Sequence, residues 1–105
     1  MFEKNEITVS SIIKGAADNL VRDLRAWNQN IYEADDETNP EKVRESRRDS
    51  AAALDKDIRQ KTWMLGDMGL RSHIKTNERG YAETLTINGA EFEVITDSFM
   101  DNRYR

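Results

Sequence analysis

Six apolar residues, Ile13, Ala17, Leu20, Leu24, Trp27 and Ile31, follow one another at spacings of 4, 3, 4, 3 and 4. The average repeat of 3.5 residues belongs to a helix packed lengthwise on another helix. Val21 lies beside the stripe and widens it, while Asp18, Asn19, Arg22, Asp23, Arg25 and Asn28 fall mainly off it. The pattern predicts a helix over 11–33, with Ser10 or Ser11 as its cap. Gly15 inside it costs about 1 kcal/mol relative to alanine, a cost that close approach by a neighbouring backbone would justify.

A stripe of this length needs something to cover it, and the next segment offers one candidate. Residues 33–40, EADDETNP, form a polar connection. Thr38 or Asn39 is placed to cap a second helix, with Pro40 at its first position, where a missing N–H is harmless. This helix is expected over 40–65, with Val43, Ala51, Leu54, Ile58 and Leu65 facing the first. Arg47 and Lys61 stand where the same repeat asks for apolar residues, and the first half is almost wholly polar. The second stripe is therefore the weaker of the two.

Beyond Gly66 and Gly69 the period changes. Residues 81–87 and 90–96 flank Asn88-Gly89, a dipeptide suited to a two-residue turn with positive φ at both positions. In that register Ile87 faces Ala90, Leu85 faces Phe92, Glu83 faces Val94 and Tyr81 faces Thr96, all on one buried face. Thr84, Thr86, Glu91 and Glu93, with Ala82 opposite Ile95, fall on the other. A two-stranded hairpin alone is marginal, so 72–76 is expected to add a third strand. Residues 1–9 are read as a short strand or extended arm, from Ile7 and Val9. Asp97 is read as the cap of a last short turn through Phe99 and Met100, and 101–105 as a polar tail.

The expected fold is therefore α+β: one domain over 1–105, an antiparallel helical hairpin followed by a small antiparallel sheet. A chain of 105 residues has room for one such domain and a modest core. Its hydrophobic fraction of 37% and charged fraction of 34% leave that core lean. Without cysteine, disulfides and cysteine-held zinc are excluded. No apolar run approaches the roughly 20 residues of a membrane span, and no signal-peptide pattern opens the chain. A cytoplasmic protein, or a virion component if viral, is the expectation.

Catalytic signatures are missing. His73 is the one histidine, and nothing in the spacing supplies it with a positioned partner. The acidic run Glu33, Asp35, Asp36 and Glu37 lacks the central glycine and frame of a calcium loop. There is no phosphate-binding glycine loop, no G-x-S-x-G and no H-E-x-x-H. No catalytic, metal or cofactor residue is assigned, and no small-molecule substrate is evident.

What is left is contact. The expected function is a non-catalytic interaction or assembly subunit, acting on a protein partner or on further copies of itself as a homo-oligomer. Its expected contact residues are Leu20, Leu24, Trp27 and Ile31 on the first helix, and Trp63, Met64 and Met68 near the end of the second. Small, charged, cysteine-free chains of this kind are common among phage and mobile-element proteins. The alternative is a small regulator of nucleic acid or of an enzyme that binds it. Arg44, Arg47, Arg48 and Lys61 would then meet phosphates, or the acidic loop with Glu91 and Glu93 would mimic them. A net charge of −4 and interleaved acids weigh against the basic version.

Overall fold

The computed structural model describes the backbone of residues 2–95 and the side chains of residues 11–95. Helix α1 spans Phe2–Asp35 and helix α2 spans Glu41–Asp67. Strands β1 (Ser72–Thr76), β2 (Ala82–Ile87) and β3 (Ala90–Glu93) form one antiparallel sheet in the order β1-β2-β3. The helical hairpin and the three-stranded sheet are the α+β architecture expected from the sequence.

The first difference lies at the start. The segment read as a strand or arm is helical from Phe2, so α1 has 34 residues rather than the expected span of 11–33. One alternating pair, Ile7 and Val9, is too short a period to specify a strand. Glu3, Lys4 and Glu6 are good helix formers that let the helix extend. At 1.5 Å per residue α1 is about 51 Å long, which sets the long dimension of the 57 × 27 × 19 Å molecule. The readings at Asp97, Phe99 and Met100 and the 101–105 tail lie outside the described residues.

The chain reverses through a closed turn. Asp36 Oδ1 accepts from the Thr38 backbone N–H at 3.0 Å and from its hydroxyl at 2.6 Å. These two bonds, the hydroxyl's first, hold the Asp36 carboxyl below its ordinary value. The expected cap is corrected. Pro40 itself occupies the N-cap of α2 with no side-chain bond, while Asn39 turns back to donate to the Glu33 carbonyl at 3.0 Å. The last turn of α1 exposes unpaired carbonyls, and Asn39 closes one of them. Arg44 closes another, donating from Nε to the Ala34 carbonyl at 2.9 Å.

Helix α2 ends in a Schellman motif. Leu70 N–H donates to the Leu65 carbonyl at 2.8 Å and Gly69 N–H to the Gly66 carbonyl at 3.0 Å, with Gly69 at φ 85°. Gly15, by contrast, meets no neighbour: a Cβ built there has nothing within 4 Å. The close approach anticipated at Gly15 is absent, and the residue lies exposed in a helix interior. Gly15→Ala should therefore raise stability by about 1 kcal/mol, read as a higher urea midpoint at unchanged m-value.

The sheet lays one face on the hairpin. Ala17, Leu20 and Leu24 of α1, Ile58 and Leu65 of α2, and Leu85, Ile87 and Val94 of the sheet form one buried cluster. The Asn88-Gly89 turn has φ of 51° and 85°, and the register Ile87↔Ala90, Leu85↔Phe92 follows from it as expected. The register fails at Glu83. Lys75 pairs with Thr84 and Thr76 with Ala82, so Glu83 is skipped, while Val94 and Ile95 both donate to the Glu83 carbonyl at 3.0 and 3.2 Å. A bulge inserts one residue and breaks strict alternation there, so Tyr81 and Val94 stay buried as expected and their neighbours join them. Ala82 and Ile95, placed on the wet face by simple alternation, are therefore buried.

Asn28 secures this bulge. It is 1% exposed, its Nδ2 donates to the Ala82 carbonyl at 2.9 Å, and its Oδ1 accepts from the Ala82 N–H at 2.8 Å. A buried backbone group without a partner is costly, and here one side chain satisfies both groups of the residue beside the bulge. Three residues earlier on α1, Arg25 donates to the Val94 and Glu93 carbonyls at 2.9 and 3.2 Å. Polar residues thus seat the helix on the sheet at one end, and apolar ones at the other.

Candidate interaction surface

The two sets of expected contact residues separate on burial. Leu20 and Leu24 are 1% and 3% exposed, covered by the chain's own second helix and sheet. They are core residues, and their place in the expected interface is corrected: the sheet closes over the stripe that α2 leaves uncovered. Trp27 and Ile31 are half-buried. Trp63, Met64 and Met68 are the reverse case, at 70%, 52% and 62% exposure.

Helical spacing explains the second group. The buried positions of α2 are Ala51, Ile58 and Leu65, seven residues apart. Met64 and Met68 lie to one side of this line and Trp63 opposite Leu65, so the helix cannot bury them against α1. Met64 and Met68 instead line an apolar groove of about 190 Å³ with Ala16, Asn19, Leu20, Lys61 and Leu65. Ile12, one turn before Ala16 on α1, is 45% exposed. Sequence reasoning missed Ile12 because it sits beside the stripe position Ile13.

The groove lies at the open end of the hairpin. Lys61 is level with Asn19 and Asp23, and Met64, Leu65 and Met68 are level with Ala16 and Leu20. Helix α2 ends there, whereas α1 continues toward Phe2. A length of α1 therefore runs beyond the last turn of its partner.

The basic residues considered for phosphate contact are held within the chain. Arg44 bonds Ala34 and lies 3.5 Å from Glu41, and Arg48 meets Glu41 at 2.7 Å. Arg47 reaches across to Glu33 at 2.8 Å. Lys61 bridges Asp23 at 2.6 Å and Asp57 at 3.1 Å and donates to Asn19 at 3.0 Å. The two charges that interrupt the second stripe, Arg47 and Lys61, thus face complementary acids on α1 and act as clasps between the helices. The pattern hid this because Glu33 and Asp23 flank the α1 stripe without belonging to it.

Lys61 has a measurable consequence. Its hydrogen bond to Asp23 raises its pKa above the ordinary lysine value; burial opposes this, and the hydrogen bond to Asp57 adds a lesser upward push. A raised folded-state pKa stabilises the fold fully below the unfolded value, about 10.4, and the gain is lost as pH rises through the folded value. Wild type should therefore lose more stability than Lys61→Met as pH rises above about 10 in urea titrations. Parallel losses in the two chains would remove the clasp.

Other candidates remain apart. His73 is exposed on β1, paired in register with Thr86. Among the described residues no cluster of three or more histidine or acidic side chains could hold a metal ion. No helix among them is long and apolar enough to cross a membrane. Compared with known proteins, the chain matches no family model, no curated sequence and no solved structure.

Proposed function

We propose that this chain is a non-catalytic assembly subunit that joins copies of itself through the apolar surface at the open end of the helical hairpin. One observation carries the reading. Of the large apolar side chains left open among the described residues, Ile12, Trp63, Met64 and Met68 gather at that end, and Val43 alone lies elsewhere. Tryptophan and methionine supply contact area and adaptable packing, which suits a binding surface better than a solvated one. Second, α1 outruns α2 at this end, so a two-fold related copy can lay its own α1 across the Met64–Met68 groove and receive the same in return. Such a self-complementary contact closes as a dimer. The internal pairing of Arg44, Arg47, Arg48 and Lys61 weighs against phosphate contact.

The expected result is a dimer by sedimentation at concentrations on the order of 10–100 μM, as for a Kd of about 1 μM. Met64→Lys with Met68→Lys should leave a monomer with near wild-type helix content, because both side chains are exposed. A wild-type chain that stays monomeric throughout that range sinks self-association.

A further inference from the structure

The turn between β2 and β3 carries chemistry as well as geometry. Of the chain's eight asparagines, Asn88 alone precedes a glycine. An asparagine amide is thermolabile, and it is lost by cyclisation onto the nitrogen of the next residue. Gly89 has no side chain to shield that nitrogen, and both turn residues are exposed. Asn39 precedes Pro40, whose nitrogen has no proton to give up. Asn19, Asn28 and Asn30 lie within α1, where the following N–H is tied into the helix.

The folded turn holds this reaction back. Ring closure joins Gly89 N to Asn88 Cγ, so that nitrogen and Cβ must lie on the same side of the Asn88 Cα–C′ bond. With φ of 51° and 85° the two residues form a type I′ turn, in which the first ψ is about +30°. At that ψ the nitrogen is turned away from Cβ, and the bond must rotate far out of the turn before the two atoms meet. Arg71 resists the rotation. Its carbonyl accepts from the Asn88 N–H at 2.8 Å, and its own N–H donates to Asn88 Oδ1 at 2.8 Å. The pair extends the β1–β2 ladder one step past Ser72↔Ile87 and fastens the reactive amide to it.

We propose that Asn88 is a self-modification site, converted to aspartate and isoaspartate at a rate set by opening of this end of the sheet. Gly89 N loses its proton to hydroxide and attacks Asn88 Cγ. The N–Cγ bond forms, the Cγ–Nδ2 bond breaks, and Nδ2 leaves as ammonia after taking a proton from water. Water then opens the cyclic imide. Attack at Cγ restores the original main chain with aspartate in place of Asn88. Attack at the Asn88 C′ leaves the main chain running through Cβ and Cγ, as isoaspartate. Nothing is oxidised or reduced. Aspartate keeps an oxygen for the Arg71 N–H, whereas isoaspartate adds a methylene to a two-residue loop and cannot rebuild the Ile87↔Ala90 register. Loss of ammonia is one-way, so the modified fraction records how long the hairpin end has stood open. This inference is independent of the surface at Met64 and Met68.

Peptide mapping by mass spectrometry of the full-length chain, aged at one mildly alkaline pH, tests it. Asn88 should convert at least about tenfold more slowly in the folded chain than in chain unfolded by guanidinium chloride. Below the unfolding transition, its rate should rise with denaturant in step with hydrogen exchange of the Asn88 amide. Arg71→Pro removes the N–H donor and should raise the folded rate at least about fivefold while leaving the unfolded rate unchanged. If that variant does not fold, the wild-type comparison still decides. Equal Asn88 rates in folded and unfolded chain, or a folded rate that does not follow the amide's exchange, overturns the proposal.

Discussion

Asn28→Ala should lower the unfolding free energy by about 3–5 kcal/mol, the sum of two buried backbone groups left unsatisfied and the space vacated. The size follows from its geometry. Asn28 is 1% exposed, so water does not replace what the amide supplied to Ala82. The bulge at Glu83 has already displaced Ala82 from ordinary alternation, and the side chain of α1 is what bonds its N–H and C=O. For a domain whose total stability is about 5–15 kcal/mol, such a loss leaves a substantial unfolded fraction. The check is urea unfolding: a large fall in midpoint with an unchanged m-value. Asn28→Asp separates bonding from volume. The carboxylate still accepts from the Ala82 N–H, but it loses the donor to the carbonyl and buries a charge. Burial raises a carboxyl pKa, so this variant should regain stability as pH falls and the group is protonated. A loss below about 1 kcal/mol for Asn28→Ala would mean that the sheet holds Ala82 without it.

That residue also marks the limit of what periodicity reveals. The helical hairpin, the Asn88-Gly89 turn and the third strand were legible because each is specified locally, by a repeat or by the φ preferences of two residues. Asn28 falls off the α1 stripe, and off-stripe polar residues ordinarily face water. Its burial depends on a bulge 55 residues away at Glu83, and no local pattern announces that bulge. Ala82 and Ile95 were misplaced for the same reason. The exposed apolar surface was half legible. Trp63 stands out because it does not fit the α2 repeat, and Met68 because it falls past the helix end expected at 65, whereas the sheet's cover over Leu20 and Leu24 is a long-range contact that no local pattern shows. The clasps of Arg47 and Lys61 looked like defects in a stripe until their partners on α1 were in place. Charge complementarity across a helix pair is readable only once the pair's register is known.

The burial contrast between Leu85 and Met68 makes the second strong prediction. Leu85→Ala should cost about 2–5 kcal/mol, because Leu85 is 0% exposed and its removal opens a cavity in the core cluster it shares with Leu20, Leu65 and Ile87. Met68→Ala should cost less than about 0.5 kcal/mol in dilute solution, since Met68 is 62% exposed and terminates its helix. The two should then diverge with concentration. A contact made only by folded copies stabilises them by mass action, so the wild-type melting temperature should climb as protein is added. Leu85→Ala should keep that slope at a lower starting value, because its site lies inside the subunit and away from the groove. Met68→Ala should keep the dilute value and flatten the slope, because its side chain contributes only when another copy arrives. Melting curves over a hundredfold range of concentration distinguish a fold residue from a contact residue without knowledge of the partner's geometry. If the wild-type curves superimpose across that range, the open end of the hairpin does not join copies, and the exposed methionines and Trp63 must serve a different protein surface.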